Sequence, residues 1–158
     1  FSRFHNTWHH GDFAEIKKTR GFIIHGRSDT TLNPGGVRLG TAEIYSEVEK
    51  FKEIKESIVV GQSWDNDVRI VLFIVMNEKF ILSEDLLKKI KLQIRKNASP
   101  RHVPSKVIVV KDIPRTKSGK IVELAVKNTI EGNNIKNKEA LANPKALEQF
   151  KNLKELNI

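Results

Sequence analysis

VRIVLFIVM, residues 68–76, decides the fold. Its apolar side chains point to both faces of an extended chain, and a strand of that kind is central in its sheet and covered on each side. Working outward, Ile58–Trp64 reads as a second strand. Asp65-Asn66-Asp67 joins the two as a turn-prone triplet, so an antiparallel hairpin is expected. Ser83 caps the following helix, with Glu84 and Asp85 in its first turn and Lys/Arg towards its end; Leu86, Leu87, Ile90 and Ile94 form the buried stripe. Ser99-Pro100 stops that helix, and Lys106–Val110 is another short strand.

The flanks follow the same logic. Phe13–Lys17 alternates, Thr19-Arg20-Gly21 turns the chain, and Phe22–His25 is a second strand. Thr41 is the expected N-cap of a helix running to about Lys52, with Ile44, Val48 and Phe51 on one face. Ile121–Ile130 is expected to be helical, with Leu124 and Ala125 facing inward beside Ile121. Pro144 starts a last helix carrying Leu147, Phe150 and Leu153. Strands and helices mix without strict βαβ alternation, so the expected class is α+β, a small mixed β-sheet packed by helices.

The chain of 158 residues carries a formal charge of +9 and has no cysteine, which removes disulfides, thiolate metal sites and cysteine nucleophiles. Its first residue is Phe1, inside an aromatic and His-rich run, and a piece of a longer protein is expected. The longest apolar run, Ile70–Met76, is too short to span a bilayer, and a cytoplasmic protein is the default expectation. The basic balance suits polyanions, either nucleic acid or phosphate-rich small ligands, beside the plainer reading of lysines solvating helix faces. Aromatic residues are 7% of the chain and do not interleave with the basic ones, so no stacking platform for nucleic acid is formed.

Four short stretches carry chemistry. PRTKSGK (114–120) ends in Gly-Lys but has Pro114 where a phosphate loop needs Gly and Ile121 where it needs Ser/Thr; it is not a Walker motif. A basic loop before a helix is commonly a solvated cap. Its functional use would be to carry Lys120 on a flexible arm to a centre where negative charge develops. WHHGD (8–12) has a metal-like look, yet adjacent histidines on a strand face opposite ways, and no metal site is assigned. Asp12 after Gly11 is suited to accepting hydrogen bonds from a ribose diol, against the alternative of a turn-capping aspartate. Pro34-Gly35-Gly36 is a turn that also offers bare backbone to a passing ligand. Arg38 beyond it could pair with a phosphate or simply be exposed.

Together, WHHGD, HGRSDTTLNPGGVRLGTAEIY (25–45), SPRHVPSK (99–106) and PRTKSGK resemble the adenylate-forming superfamily of acyl-CoA synthetases, luciferases and peptide-synthetase adenylation domains. They look most like its acetoacetyl-CoA synthetase family. The resemblance implies that residues 1–28 are the last strands of an N-terminal AMP-binding domain and that 29–158 are a mobile C-terminal lid, with 131–158 a helical extension. It implies that Asp12, Arg27 and Arg38 are nucleotide-binding and that Asp29 is the hinge. Gly35, Gly36 and Arg95 would meet CoA, and Lys120 would be the catalytic lysine of adenylation. The implied substrates are acetoacetate, ATP and CoA, the implied protein partner is the chain's own N-terminal domain, and Mg²⁺ ligands are expected outside these residues. Acetyl-CoA synthetases carry a cation-binding His near the end of the helix after the hinge; the equivalent here is about Phe51, so the resemblance does not extend to that secondary cation site. The loop reads Pro-Gly-Gly where those relatives have Ser before Gly, so a side-chain bond to CoA from Gly35 is lost. The alternatives are another short-chain acyl-CoA synthetase, such as one acting on acetate, and a basic nucleic-acid-binding module.

Overall fold

The computed structural model describes residues 5–7, 10–28, 30–135 and 137–157. Trp8, His9 and the expected hinge Asp29 lie outside the described residues. Strands β1 (Asp12–Ile16) and β2 (Phe22–Arg27) form an antiparallel hairpin, as the alternation of 13–17, the turn at 19–21 and the strand expected over 22–25 predict. The main sheet has three strands, β3 (Ile54–Trp64), β4 (Asp67–Met76) and β5 (Lys106–Val109), in the order β3-β4-β5. Strand β4 pairs antiparallel with β3 and parallel with β5, so the sheet is mixed and Val68–Met76 is central.

Period-two geometry sends alternate β4 side chains into two cores. Val71, Phe73 and Val75 meet helix α3 (Glu123–Ile130) and the C-terminal tail, while Ile70, Leu72 and Ile74 meet α1 (Ala42–Val48) and α2 (Glu84–Asn97). The β3–β4 turn is closed by Asp65 and Asn66, both at positive φ (50° and 58°), the backbone that Asn and Asp tolerate in a two-residue hairpin. Ser83 caps α2, its Oγ accepting the Leu86 N–H at 3.2 Å. Leu86, Ile90 and Ile94 are buried as the stripe predicts.

Several expectations are corrected. Thr41 does not cap α1: it is itself in helical geometry, buried, with no side-chain cap bond. Helix α1 stops at Val48, and Phe51 lies beyond it, its N–H bonded to the Val48 carbonyl. Leu124 points outward, 42% exposed, and Ala125, Val126 and Thr129 take the buried positions of α3. The reason is that Ile121 is not helical; it bridges Arg115 in an extended pair, and the helix starts two residues later. The tail forms no α-helix among the described residues, only 3-10 turns at Lys138–Ala140, Pro144–Phe150 and Lys154–Leu156. It is nevertheless core material. Leu147 and Phe150 are buried, and the Phe150 ring meets Phe73 edge-on with centroids 4.9 Å apart.

Candidate functional site

The two loops that the sequence singles out, around Gly35-Gly36 and Lys120, sit at opposite ends of the β3–β4 hairpin. At the tip end, Leu32 and Leu39 bridge each other and hold Pro34–Gly36 between them in one tight turn. Both glycines need their lack of a side chain, with φ of 58° at Gly35 and 75° at Gly36. The Gly35 N–H donates to both carboxylate oxygens of Asp67, 2.9 Å to each, which pins the loop onto the first residue of β4. The N–H groups of Val68 and then Gly35 hold the Asp67 carboxyl below the usual aspartate range.

Basic residues gather on the same side. The Arg101 guanidinium lies 3.8 Å from where a Gly35 Cβ would stand. It belongs to the 3-10 turn Pro100–His102, which follows directly on α2 and its last-turn Arg95 and Lys96. Arg95 is exposed there, and Arg38 is exposed on the return limb of the loop. A groove beside the loop is lined by Pro34, Trp64, Asp67, Arg69, Arg101 and Ser105, with the Arg69 guanidinium 3.7 Å from the Trp64 ring centroid. Asp67 and Arg101 were missed as site residues. Asp67 reads as a turn residue, and its partner Gly35 is distant in sequence; Arg101 lies within SPRHVPSK but has no local signal of its own. Next to Arg101, His102 is buried, its Nδ1 2.8 Å from Ser99 Oγ and its Nε2 without a hydrogen-bond partner. Burial holds its imidazole below the usual histidine range, against the opposing charge of Glu43.

At the other end, the Lys120 loop is not a flexible arm. Arg115 and Ile121 pair across it, the Thr116 N–H donates to the Lys120 carbonyl at 2.9 Å, and the Lys120 N–H reaches Thr116 Oγ1 at 3.1 Å. Gly119, at φ 82°, makes the reversal possible, and its carbonyl accepts from Arg115 at 2.9 Å. Arg115 also pairs with Glu56 near the start of β3 at 3.1 Å. The backbone is therefore fixed, while the Lys120 side chain is exposed and has no partner among the described residues. Glu56 and Trp64 are eight residues apart on one strand. At the strand rise this separates the anchors of the two loops by about 27 Å.

The β1–β2 hairpin brings Asp12 and Arg27 together as directly opposed residues in the ladder. The Asp12 carboxylate is partly exposed and accepts from His10 Nδ1 at 2.5 Å. Gly11 before it has φ 87°, and its carbonyl receives both the N–H and the Oγ–H of Ser28, closing the hairpin's open end. Among the described residues no group of three or more His, Cys, Asp or Glu side chains could hold a metal ion, and no helix is long and apolar enough to cross a membrane.

The described residues thus place a small mixed sheet between an exposed lysine on a stiff Gly-Lys hairpin and a glycine loop at the opposite end. Residues 43–120 match the AMP-binding enzyme C-terminal domain family, and the chain belongs to it. More particularly, it is 60% identical over 156 residues to the acetoacetyl-coenzyme A synthetase of Rhizobium meliloti, covering 99% of this chain and 24% of that protein. It is 48% identical over 158 residues to the acetoacetyl-CoA synthetase of Xenopus tropicalis, with the same two coverages. The solved acetoacetyl-CoA synthetase from Streptomyces lividans superposes with a TM-score of 0.82 at 39% identity, over 90% of this chain and 22% of that one. The chain thus spans about a quarter of the length of these relatives and corresponds to their C-terminal part.

Proposed function

We propose that this chain is the moving lid of an AMP-forming acetoacetate–CoA ligase, and that it serves two half-reactions by turning opposite ends of one sheet towards a larger domain. The relatives' names support the acyl group and the chemistry. The observation that carries the lid reading is the placement of the Lys120 hairpin and the Gly35-Gly36 loop at opposite ends of β3–β4. A rigid body with its two functional loops so far apart cannot present both to one reacting centre without rotating.

In the first half-reaction an acetoacetate oxygen attacks the α-phosphorus of ATP and pyrophosphate leaves. The Lys120 ammonium lies against the charge that develops on the carboxylate and phosphate oxygens. Asp12 receives the ribose hydroxyls, with Arg27 and Arg38 beside the nucleotide. The domain then rotates about Asp29, and Lys120 withdraws. Gly35 and Gly36 now border the channel of the pantetheine arm, with Arg95 towards the CoA nucleotide. The thiol attacks the acyl carbonyl, AMP leaves, and the thiol proton passes to solvent. Mg²⁺ would neutralise charge on the leaving pyrophosphate, and none of the residues described here is assigned to hold it. Residues 1–28 close the large domain, and 29–158 form the lid. The setting is cytoplasmic.

The test is Lys120→Ala in an enzyme carrying this chain as its C-terminal quarter. Pyrophosphate exchange should fall by about 10²–10³-fold, the scale of losing one preorganised stabilising group. Thioester formation from supplied acetoacetyl-adenylate should survive. Equal loss of both would remove the assignment.

A further inference from the structure

The tail after α3 looks like packing material for the core on the Val71, Phe73 and Val75 face of β4, yet its first extended segment does something more specific. Leu141 bridges Thr116 in antiparallel register, on the side of the Lys120 hairpin away from Ile121. The Ala142 N–H donates to the Arg115 carbonyl at 2.8 Å, and the Lys117 N–H donates to the Ala140 carbonyl at 3.1 Å. The hairpin is thereby the inner part of a three-stranded ribbon, and its outer strand is tail. Asn143 locks the junction. Its Oδ1 accepts the Arg115 N–H at 2.8 Å, and its Nδ2 donates to Asp112 Oδ2 at 2.7 Å and to the Ile113 carbonyl at 3.0 Å.

We propose that Ala140–Asn143 is a positioning element of the adenylation half-reaction, fixing where the Lys120 hairpin delivers its ammonium. This rests on the reading of Lys120 given above. Two observations separate the role from generic packing. The bonds fall on Arg115 and Lys117, within the hairpin itself, where an exposed loop would otherwise turn to water. The tail is also immobilised independently of the hairpin. Leu147 and Phe150 are buried in the core, and Gln149 accepts the Lys111 N–H at 2.6 Å and donates to the Asp112 carbonyl at 2.7 Å. An anchored strand can hold a catalytic loop in register; a loose one could not. Preorganisation of this kind matters because displacement of a reacting group by about 1 Å can cost about 10²-fold in rate.

The experiment measures both half-reactions separately in the enzyme that carries this chain as its C-terminal quarter, alongside thermal unfolding. Asn143→Ala should lower pyrophosphate exchange by about tenfold or more, while thioester formation from supplied acyl-adenylate stays within about twofold. The swap Asn143→Asp with Asp112→Asn keeps the acceptor for Arg115 and restores the 112–143 bond with its polarity reversed but leaves the Ile113 carbonyl without its donor, so it should recover part of the exchange lost in Asn143→Ala. A third variant, Ala142→Pro, removes one ribbon bond without touching Asn143 and should act in the same direction. Equal loss in both half-reactions, or no loss in either, would overturn the proposal. Lys120→Ala run in parallel keeps the two failures apart. If it leaves exchange intact, the reading of Lys120 is at fault; if it abolishes exchange while the tail variants do not, the positioning role is.

Discussion

The N–H of Gly35 is held equally by both carboxylate oxygens of Asp67, 2.9 Å from each, so the first residue of the central strand fixes the glycine loop. Removing that carboxylate in Asp67→Ala should loosen the loop and slow thioester formation by about tenfold while sparing adenylation, since a misplaced channel wall acts on the second step alone. Rates of the two half-reactions measured separately decide this. The carboxyl titrates below the usual aspartate range, with the Val68 N–H the larger cause and Gly35 the second. A depressed folded value means the contribution is present above the unfolded value of about 3.9 and disappears only as pH falls through the lower folded one. The loop should therefore stay pinned at neutral and mildly acid pH, and an NMR titration of Asp67 should show its midpoint below that of a free aspartate.

Gly36 separates backbone strain from obstruction. It sits at φ 75°, and a Cβ there would meet no atom within 4 Å. Alanine and leucine should both incur the left-handed backbone cost of about 1–2 kcal/mol and little else. The unfolding midpoints of Gly36→Ala and Gly36→Leu should then agree. If the CoA arm runs over this position, the leucine variant alone should block thioester formation and leave pyrophosphate exchange running. Equal activity of the two variants would move the channel elsewhere.

Local pattern was enough for the sheet and for α2. Val68–Met76 is apolar on both faces because two cores flank it, and Ser83 is followed by acidic residues because a helix start needs them. It failed where partners are distant. Asp67 lies 32 residues from Gly35, and Asn143 lies 28 from Arg115, so a turn residue and a polar tail residue concealed two fixing points. Leu124 was misplaced by counting the helical period from Ile121, which is extended. Thr41 has the chemistry of a cap, but it is buried and already helical, which removes the extended backbone a cap requires. The tail's 3-10 turns follow Asn residues and prolines that interrupt any α-helical ladder, and its place against the lysine hairpin has no signature in its own residues. The loops holding Asp12, Gly35, Gly36 and Lys120 stand out in the sequence because glycine flanks or constitutes each of them.

Glu47 joins α1 to α2. Although buried, its carboxylate accepts from Lys50 Nζ at 2.6 Å and from Gln93 and Asn97 at 2.9 Å each. These donors, Lys50 first, hold its carboxyl below the usual glutamate range. Glu47→Ala removes the acceptor that ties Gln93 and Asn97 of α2 to α1; both amides can turn to water, so the loss should be about 1 kcal/mol, read as a lower thermal midpoint. The carboxylate's contribution is present above its unfolded value of about 4.3 and is lost as pH falls through the depressed folded value. Acid unfolding of the alanine variant should accordingly be shallower in that range.

Tyr45 guards the free edge of the sheet. Strand β3 is an edge strand, and the Val59 N–H on its open side donates to the Tyr45 hydroxyl at 3.1 Å, while that hydroxyl donates to Glu123 at 2.5 Å. The side chain thus pairs an otherwise bare ladder group and ties the helix after the glycine loop to the helix after the lysine loop. Tyr45→Phe strands the buried Val59 N–H and should cost about 1–2 kcal/mol. Burial first, and then the Glu123 charge, keep the phenol well above its ordinary value. A raised folded value means the stability it supplies is complete below the unfolded value of about 10 and declines as pH rises beyond it, because only the unfolded chain ionises there. The protein should therefore lose stability more steeply than Tyr45→Phe above that pH. Parallel alkaline slopes would show that the hydroxyl is not held as the Val59–Tyr45–Glu123 chain requires.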